Sequence, residues 1–493
     1  MTDMTRKRFL GLSAMTAAGL ALASGAKAAP QAKAANRRLL IKGADLLTMD
    51  PKLGQLYGMD LLVEGQTIAA IGKDLKVDGA EVIDARGMIL MPGMVDGHRH
   101  VWEGIHLGLV VKNQRGYSAR YQDSKMKLMV AFTPEDNYLA NYVGGLTALS
   151  TGVTSLIDYA HIQHTPDKAD AAAKGLKDSG VAGWYCWQTS HSPTYGPGAT
   201  IPLAQAEAER GASPEPWRYE HAAKMRDKYF SDSSAPLKFG LALSANVKSL
   251  EAQRREITRC RELGAGKILQ HYHTPVDPPP GGWRGIVDLE AAGLMGPDLH
   301  FDHANNLTDE DLRILAKAGA STCSTVMGEF PYAVPPSHWR ARAAGVAASI
   351  GIDVPIALNN DYFETVRAAF WNMYRTPEGA KAAAEYEPED VLAFATTMGA
   401  RALRQDYAGS LTVGKRADMV LLRTDRFGFA PHGSLAARVV NFGAWADVDS
   451  VWVAGEAKKR KGEMLGVDMM KLRQQQIDAQ LRAEEVAKTI TFT

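Results

Sequence analysis

Between residues 92 and 406, short apolar runs alternate with longer helical patterns, and this alternation restricts the possible folds more than any other property of the chain. The strand-like runs are Val153 to Asp158, Val181 to Trp187, Leu237 to Leu243, Lys267 to His273, Leu299 to His303, Ala320 to Thr325 and Ile352 to Asp361. Helical patterns follow several of them, at Asp167 to Ser179, Glu251 to Gly264 and Asp309 to Gly319. Strand followed by helix, repeated over roughly 300 residues, predicts a parallel sheet covered by helices; eight such units close as a (β/α)8 TIM barrel. A barrel of this kind carries its chemistry at the C-terminal ends of its strands.

The flanks have a different texture. Leu39 to Gly43, Leu61 to Gly65 and Thr67 to Gly72 on one side, and Met419 to Leu422 and Val451 to Gly455 on the other, are short runs punctuated by glycine. They predict a small β-sandwich domain built from both chain ends, residues 37–91 and 407–465, beside the barrel at 92–406. Residues 466–493 are polar, with Met, Leu, Ile and Val at helical spacing, and predict a C-terminal surface helix. Residues 1–29 read as an export signal. Thr5-Arg6-Lys7-Arg8-Phe9-Leu10 precedes an alanine-rich apolar stretch and the A-x-A cleavage site Ala26-Lys27-Ala28. The segment resembles a twin-arginine signal with Lys7 in place of the second arginine, so the expected location is the periplasm or the exterior. Its apolar run is shorter than the ~20 residues that span a bilayer, so no stable membrane insertion is expected after cleavage.

Lys plus Arg (56) balance Asp plus Glu (55), which removes the charge signature of a nucleic-acid or acidic-membrane partner. The 3 cysteines contain no CxxC pair, so neither a zinc ribbon nor a disulfide framework is indicated. A small-molecule substrate is the partner expected, in a chain free to form a homo-oligomer.

Histidines and carboxylates fall at the predicted strand ends. His98 and His100 follow the apolar run that begins at Met88, and side chains at i and i+2 of a strand point the same way, so both rings can face one ion. His271 and His273 end a later strand, His303 ends the next, and Asp361 closes the run that begins at Ile352. Neutral imidazoles with a carboxylate are the ligand types of a divalent transition metal.

As an ordered set these residues resemble the metal-dependent amidohydrolase superfamily, and most closely its chlorohydrolase and deaminase branch, which includes atrazine chlorohydrolase and cytosine and guanine deaminases. The resemblance rests on Pro92-Gly93-Met94-Val95-Asp96-Gly97-His98-Arg99-His100, Gly152-Val153-Thr154, His271-Tyr272-His273, His303 ahead of Leu307-Thr308-Asp309-Glu310-Asp311, Asp361, and the closing Gly409-Ser410-Leu411 with Gly414-Lys415-Arg416-Ala417-Asp418. It implies that His98 and His100 are first-strand ligands, that Asp361 is the eighth-strand carboxylate that binds metal and relays a proton, and that His303 polarises substrate or water. Either His271 or His273 can be the fifth-strand ligand. The resemblance favours the second, His273, and leaves His271 to pack or orient its neighbour. One divalent metal ion per subunit is implied, zinc first, with iron or manganese fitting the same ligands. Bound there, it would acidify a water and polarise a carbonyl or ring carbon.

The sequence departs from that branch in two places. A glutamate that shuttles protons to the leaving group commonly stands three residues beyond the fifth-strand ligand; here the place is Val276 counted from His273, or Thr274 counted from His271. Binuclear members carry a carboxylated lysine at the end of the fourth strand, where this chain has Ser244-Ala245-Asn246, its only nearby lysine, Lys238, being at the opposite end. The expected reaction is therefore mononuclear hydrolysis of a carbon–nitrogen bond, in a non-peptide or cyclic amide of a small aromatic or apolar compound. A lyase or decarboxylase on the same scaffold, or a deaminase with a substitute proton shuttle, is the alternative. Arg99, Trp102, Glu103, His161, His164 and His271 are candidate substrate contacts, and Trp102, Trp184, Trp187, Trp283, Trp339, Tyr362, Phe363 and Trp371 are the aromatics expected near the barrel mouth.

Overall fold

The structure is a computed structural model and describes residues 37–110, 115–244, 249–332 and 334–493; the export signal read at 1–29 lies outside the described residues. Parallel strands β1 (Met94–Arg99), β2 (Val153–Ala160), β3 (Ala182–Gln188), β4 (Leu237–Ala242), β5 (Ile268–His273), β6 (Leu299–Asn305), β7 (Ser321–Ser324) and β8 (Ala347–Ile350) pair in chain order. The barrel closes just beyond β8, where Asp353 N donates to His98 O at 3.0 Å and His100 N donates to Asp353 O at 2.9 Å. Gly351 allows this approach: a Cβ there would stand 2.6 Å from His98 O.

The eighth strand lies upstream of its expected place. Ala347, Ala348, Ser349 and Ile350 are all buried, and small side chains suffice for a strand enclosed by the barrel. The bulkier run from Ile352 is instead a loop, whose Val354 and Ile356 pack against Tyr117 and Tyr121. Asp361, expected at the strand end, is the N-cap of the helix Tyr362–Met373.

The helix after β6 shows how local sequence sets these strand ends. Thr308 and Asp311 form a reciprocal capping box at the start of Asp309–Ala318, and Gly319 ends it in a left-handed conformation. The helix thus begins at a fixed point just past His303.

Both chain ends build the satellite. Arg38–Leu47, Gln55–Glu64, Thr67–Gly72, Glu81–Asp84 and Ile89–Pro92 join Met419–Leu422, Val448–Val453, Glu456–Arg460 and Glu463–Met464 in one 9-stranded sheet. The two halves meet where Ile89–Pro92 runs antiparallel to Met419–Leu422, over a core that includes Leu39, Leu61, Leu411 and Trp452. The Gly-Lys-Arg-Ala-Asp segment fastens this sheet to the barrel. Arg416 pairs with Asp418 and donates to Ser155 Oγ on β2 at 3.2 Å, and Ala454 N donates to Asp418 Oδ1 at 2.8 Å. The C-terminal helix, Met469–Lys488, packs Leu472, Ala479 and Ala483 beside Trp102 and Phe132. Among the described residues, no helix is long and apolar enough to cross a membrane.

Candidate metal centre

Ligand atoms from His98, His271 and His303, and from His98, His100 and Asp353, form two groups, each within 4.8 Å, and the shared His98 makes them one site. The donors come from the ends of β1, β5 and β6 and from the turn after β8. His98 is fully buried; its Nδ1 lies 2.9 Å from Asp302 Oδ1 in an electrostatic contact outside hydrogen-bond geometry, and its Nε2 lies 3.4 Å from Asp353 Oδ1. Burial works against a charged ring here, yet Asp302 and Asp353 overcome it and push His98 up to about 10. The pocket is built to hold positive charge.

The other rings are oriented by their outer nitrogens. His100 Nδ1 is 3.0 Å from Tyr159 O, a carbonyl that can only accept, so this nitrogen carries the proton and Nε2 faces Asp353 Oδ1 at 3.5 Å. Burial, then the neighbouring His98 charge, pushes His100 down to about 3; burial and the nearby histidines hold His271 well below the ordinary value. Both are neutral imidazoles, the form that binds metal. His271 stacks on Tyr159 with ring centres 4.0 Å apart, and its Nε2 is buried without a hydrogen-bond partner. His98 Nε2 is likewise unpartnered. Buried polar atoms left unmatched are costly, and a cation among them removes the cost. By this test the donor set fits a divalent metal ion.

His303 and Asp353 hold φ values of +66° and +69°, in the left-handed region that residues other than glycine rarely occupy. His303 Nδ1 lies 2.9 Å from Thr325 Oγ1, and Thr325 Oγ1 donates to Glu329 Oε1 at 2.8 Å. A hydroxyl has one proton; given to Glu329, it leaves Thr325 to accept from His303, so the Nε2 lone pair of His303 faces the site. The second oxygen of Glu329 is buried without a partner.

Several expectations need correction. Asp361 is absent from the cluster: its Oδ1 accepts from Phe363 N at 3.1 Å and Trp445 N at 3.2 Å, which is the work of a helix cap. The carboxylate beside the imidazoles is Asp353. His273 is exposed at the rim, stacked on His303 with centres 5.5 Å apart, beyond the register irregularity between Tyr272 and His273. His271 is the fifth-strand ring that joins the cluster. Arg99 is fully buried, its Nε donating to Asp96 at 2.8 Å and its Nη1 to Asn360 at 2.9 Å while Nη2 is unpartnered, and it does not line the cavity over the cluster. Glu103 accepts from Tyr121 OH and Ile356 N, each at 3.0 Å, and so ties the turn after β8 to the helix Tyr117–Ala131. Trp102 is buried but touches the site through His161, donating from Nε1 to its Nδ1 at 3.1 Å. His161 stacks on His100 with centres 4.0 Å apart. His164 turns back to Ile162 O.

A cavity of about 520 Å³ opens over the cluster. Its aromatic and apolar wall is Tyr117, Tyr121, Tyr332, Val334 and Val354, none of the aromatics expected. Of those, Trp184 lines a separate cleft with Arg404 and Arg416, Trp187, Tyr362 and Phe363 are core, and Trp371 is a surface residue. Lys125 and Glu329 also line the cavity. Neither ends a strand, so the strand-end pattern could not find them.

Val276 points to solvent, 70% exposed. The corresponding place counted from His271, Thr274, donates to Asp311 Oδ2 at 3.2 Å. No carboxylate stands at either position. Lys238 reaches back to Ser233 O in the loop before β4 and is no part of the cluster.

The chain belongs to the amidohydrolase family, whose model matches residues 89–458. It is an enzyme, a hydrolase that acts on carbon–nitrogen bonds. It is similar to the 5'-deoxyadenosine deaminase of Methanosarcina barkeri, 26% identical over 474 residues that cover 92% of this chain and 99% of the relative. It is also similar to the 5-methylthioadenosine/S-adenosylhomocysteine deaminase of Desulforudis audaxviator, 28% identical over 454 residues, 87% of this chain and 95% of that one. Among solved structures, an adenosine deaminase from Xanthomonas campestris with bound zinc superposes with a TM-score of 0.77 at 20% identity, over 91% of this chain and 99% of that one. Atrazine chlorohydrolase from Arthrobacter aurescens, complexed with zinc, gives 0.75 at 19% identity, over 90% and 99%.

Proposed function

We propose that the enzyme is a mononuclear metal-dependent hydrolase that cleaves a non-peptide or cyclic amide bond, or a related carbon–nitrogen bond, in a small compound with an aromatic or apolar part. The observation that carries this reading is the pair of buried, unpartnered nitrogens, His98 Nε2 and His271 Nε2, with His98 grouped both with His271 and His303 and with His100 and Asp353. These four residues would hold the ion, zinc being the first choice for three imidazoles and one carboxylate. A divalent ion there supplies acidification of water and polarisation of the scissile carbonyl.

The remaining chemistry belongs to the side chains. Asp353, at the head of the turn after β8, accepts a proton from the attacking water and returns it to the departing nitrogen. His303 turns an unprotonated Nε2 toward the same space and orients the water, held in that tautomer by Thr325 and Glu329. The aromatic wall seats the apolar part of the substrate and excludes water. Proton delivery to the leaving group falls to Asp353, because Thr274 stands where a glutamate shuttle would. We also propose an exported enzyme, on the strength of the leader-like residues 1–29.

The test is turnover of aryl amides, lactams, hydantoins and amino-heterocycles by zinc-loaded enzyme in ¹⁸O-water. Hydrolysis places one solvent oxygen in the product, and ammonia release marks the amino-heterocycles as a deaminase's substrates. Product formed without solvent oxygen, as a lyase or decarboxylase would give, contradicts the reading.

A further inference from the structure

Beside the main cavity is a side pocket of about 40 Å³, and Lys125, His161 and His271 line both. Three donors on its wall are unmatched. Lys125, on the helix Tyr117–Ala131, is only 9% exposed, and its ammonium makes no hydrogen bond or ion pair with the described residues; it lies over the Tyr121 ring, 5.5 Å from Nζ to centroid. His161 receives the Trp102 indole proton at Nδ1, so its own proton sits on Nε2, which is buried without a partner. Arg210 gives Nη1 to Gln122 Oε1 at 2.7 Å, while its Nε is buried and unpartnered.

The acids nearby are already engaged. Glu209 accepts from Thr194 and Gln205, Glu103 accepts from Tyr121 and Ile356, and Asp353 faces the His98 and His100 rings. A largely buried ammonium that feels Glu103 and Asp353 only at a distance, with no ion pair among the described residues, is costly, and two further donors converge on the same small space. What completes such a set is an anion of about the size of one carboxylate, joined to the rest of a ligand lying in the main cavity.

We propose that Lys125, His161 and Arg210 form a carboxylate subsite, so that the amide substrate carries a free carboxylate next to the bond cleaved. The inference rests on the reading of the main cavity as a substrate site, but its test reads binding rather than turnover. It also fits the ammonium's environment: burial, then the Arg210 charge, brings Lys125 down to about 7, and a bound anion would raise it again.

Calorimetric titration of the zinc-loaded enzyme with benzoate, N-benzoylglycine and N-acetylphenylalanine, each against its neutral primary amide, tests the subsite. At least one acid should bind about tenfold or more tightly than its amide, Lys125→Met should remove that preference, and Lys125→Arg should keep most of it. Equal binding of all acids and amides overturns the proposal. A preference undiminished by Lys125→Met also overturns it, because the carboxylate is then recognised without this ammonium. Lys125-dependent binding of the acids, together with no hydrolysis of any aryl amide, lactam, hydantoin or amino-heterocycle tried, would uphold the subsite while contradicting the proposed reaction.

Discussion

Asp353 meets His98 twice: its backbone N–H donates to His98 O at 3.0 Å, and its Oδ1 lies 3.4 Å from His98 Nε2. The contact that closes the barrel is the same one that brings the carboxylate to the imidazoles. The arrangement of the candidate ligands and barrel closure are therefore coupled, and loss of the backbone turn would scatter the site even with every side chain present.

The fifth-strand ring can be identified by mutation. His271→Ala should lose most bound zinc and at least about a hundredfold of activity, whereas His273→Ala should keep its zinc and remain active within about tenfold. Metal content by plasma emission and turnover of any accepted amide decide it. The reverse pattern would return the role to the rim residue.

Asp302 acts through His98. Asp302→Asn keeps the size of the side chain but removes the charge 2.9 Å from Nδ1, and zinc affinity should fall by about 10- to 100-fold with the fold intact. Competition with a chelator of known affinity measures this. An unchanged affinity would show that the contact orients nothing.

Trp102→Phe should free His161 to exchange tautomers, since the indole proton alone fixes its Nδ1 as an acceptor. The expected result is a KM about tenfold higher for an acid substrate, with kcat little changed and zinc retained. A fall in kcat with an unchanged KM would contradict a positioning role.

Acid stability should depend on His106. Burial pushes this ring down to about 4; neither nitrogen has a hydrogen-bond partner, and Glu484 on the C-terminal helix is 3.9 Å away. An unfolded histidine titrates near 6.5, so between pH 6.5 and 4 the unfolded chain holds the extra proton, and stability is lost as pH falls through that window. His106→Leu removes this contribution. Its stability relative to the natural protein should rise by about 1 kcal/mol per pH unit on acidification across the window, and be level above it. Denaturant melts at pH 7, 6 and 5 provide the comparison.

The His98-x-His100 pair was legible because its spacing and the preceding strand together imply a shared direction. The eighth strand was not. Ala347 to Ile350 carries less apolar bulk than the loop that follows it, whose Val354 and Ile356 face Tyr117 and Tyr121 rather than a sheet. Mistaking that loop for the strand shifted the expected carboxylate from Asp353 to Asp361. His271 and His273 share a face by alternation, and only the irregularity after Tyr272 separates the half-buried ring from the exposed one. Lys125, His161 and Arg210 come from different stretches of chain, and only the folded structure gathers them.

Asp353, not Asp361, is the carboxylate grouped with the imidazoles, and on the proposed function it is the one that holds the ion. Zinc content after reconstitution measures it most directly, in Asp353→Asn and Asp361→Asn variants shown to be folded by circular dichroism. Asp361→Asn should hold about one equivalent per chain and stay active, at a cost of about 1 kcal/mol or less for its weakened helix cap. Asp353→Asn should hold far less zinc and be nearly inactive. Full zinc in Asp353→Asn together with loss in Asp361→Asn would return the ligand role to Asp361.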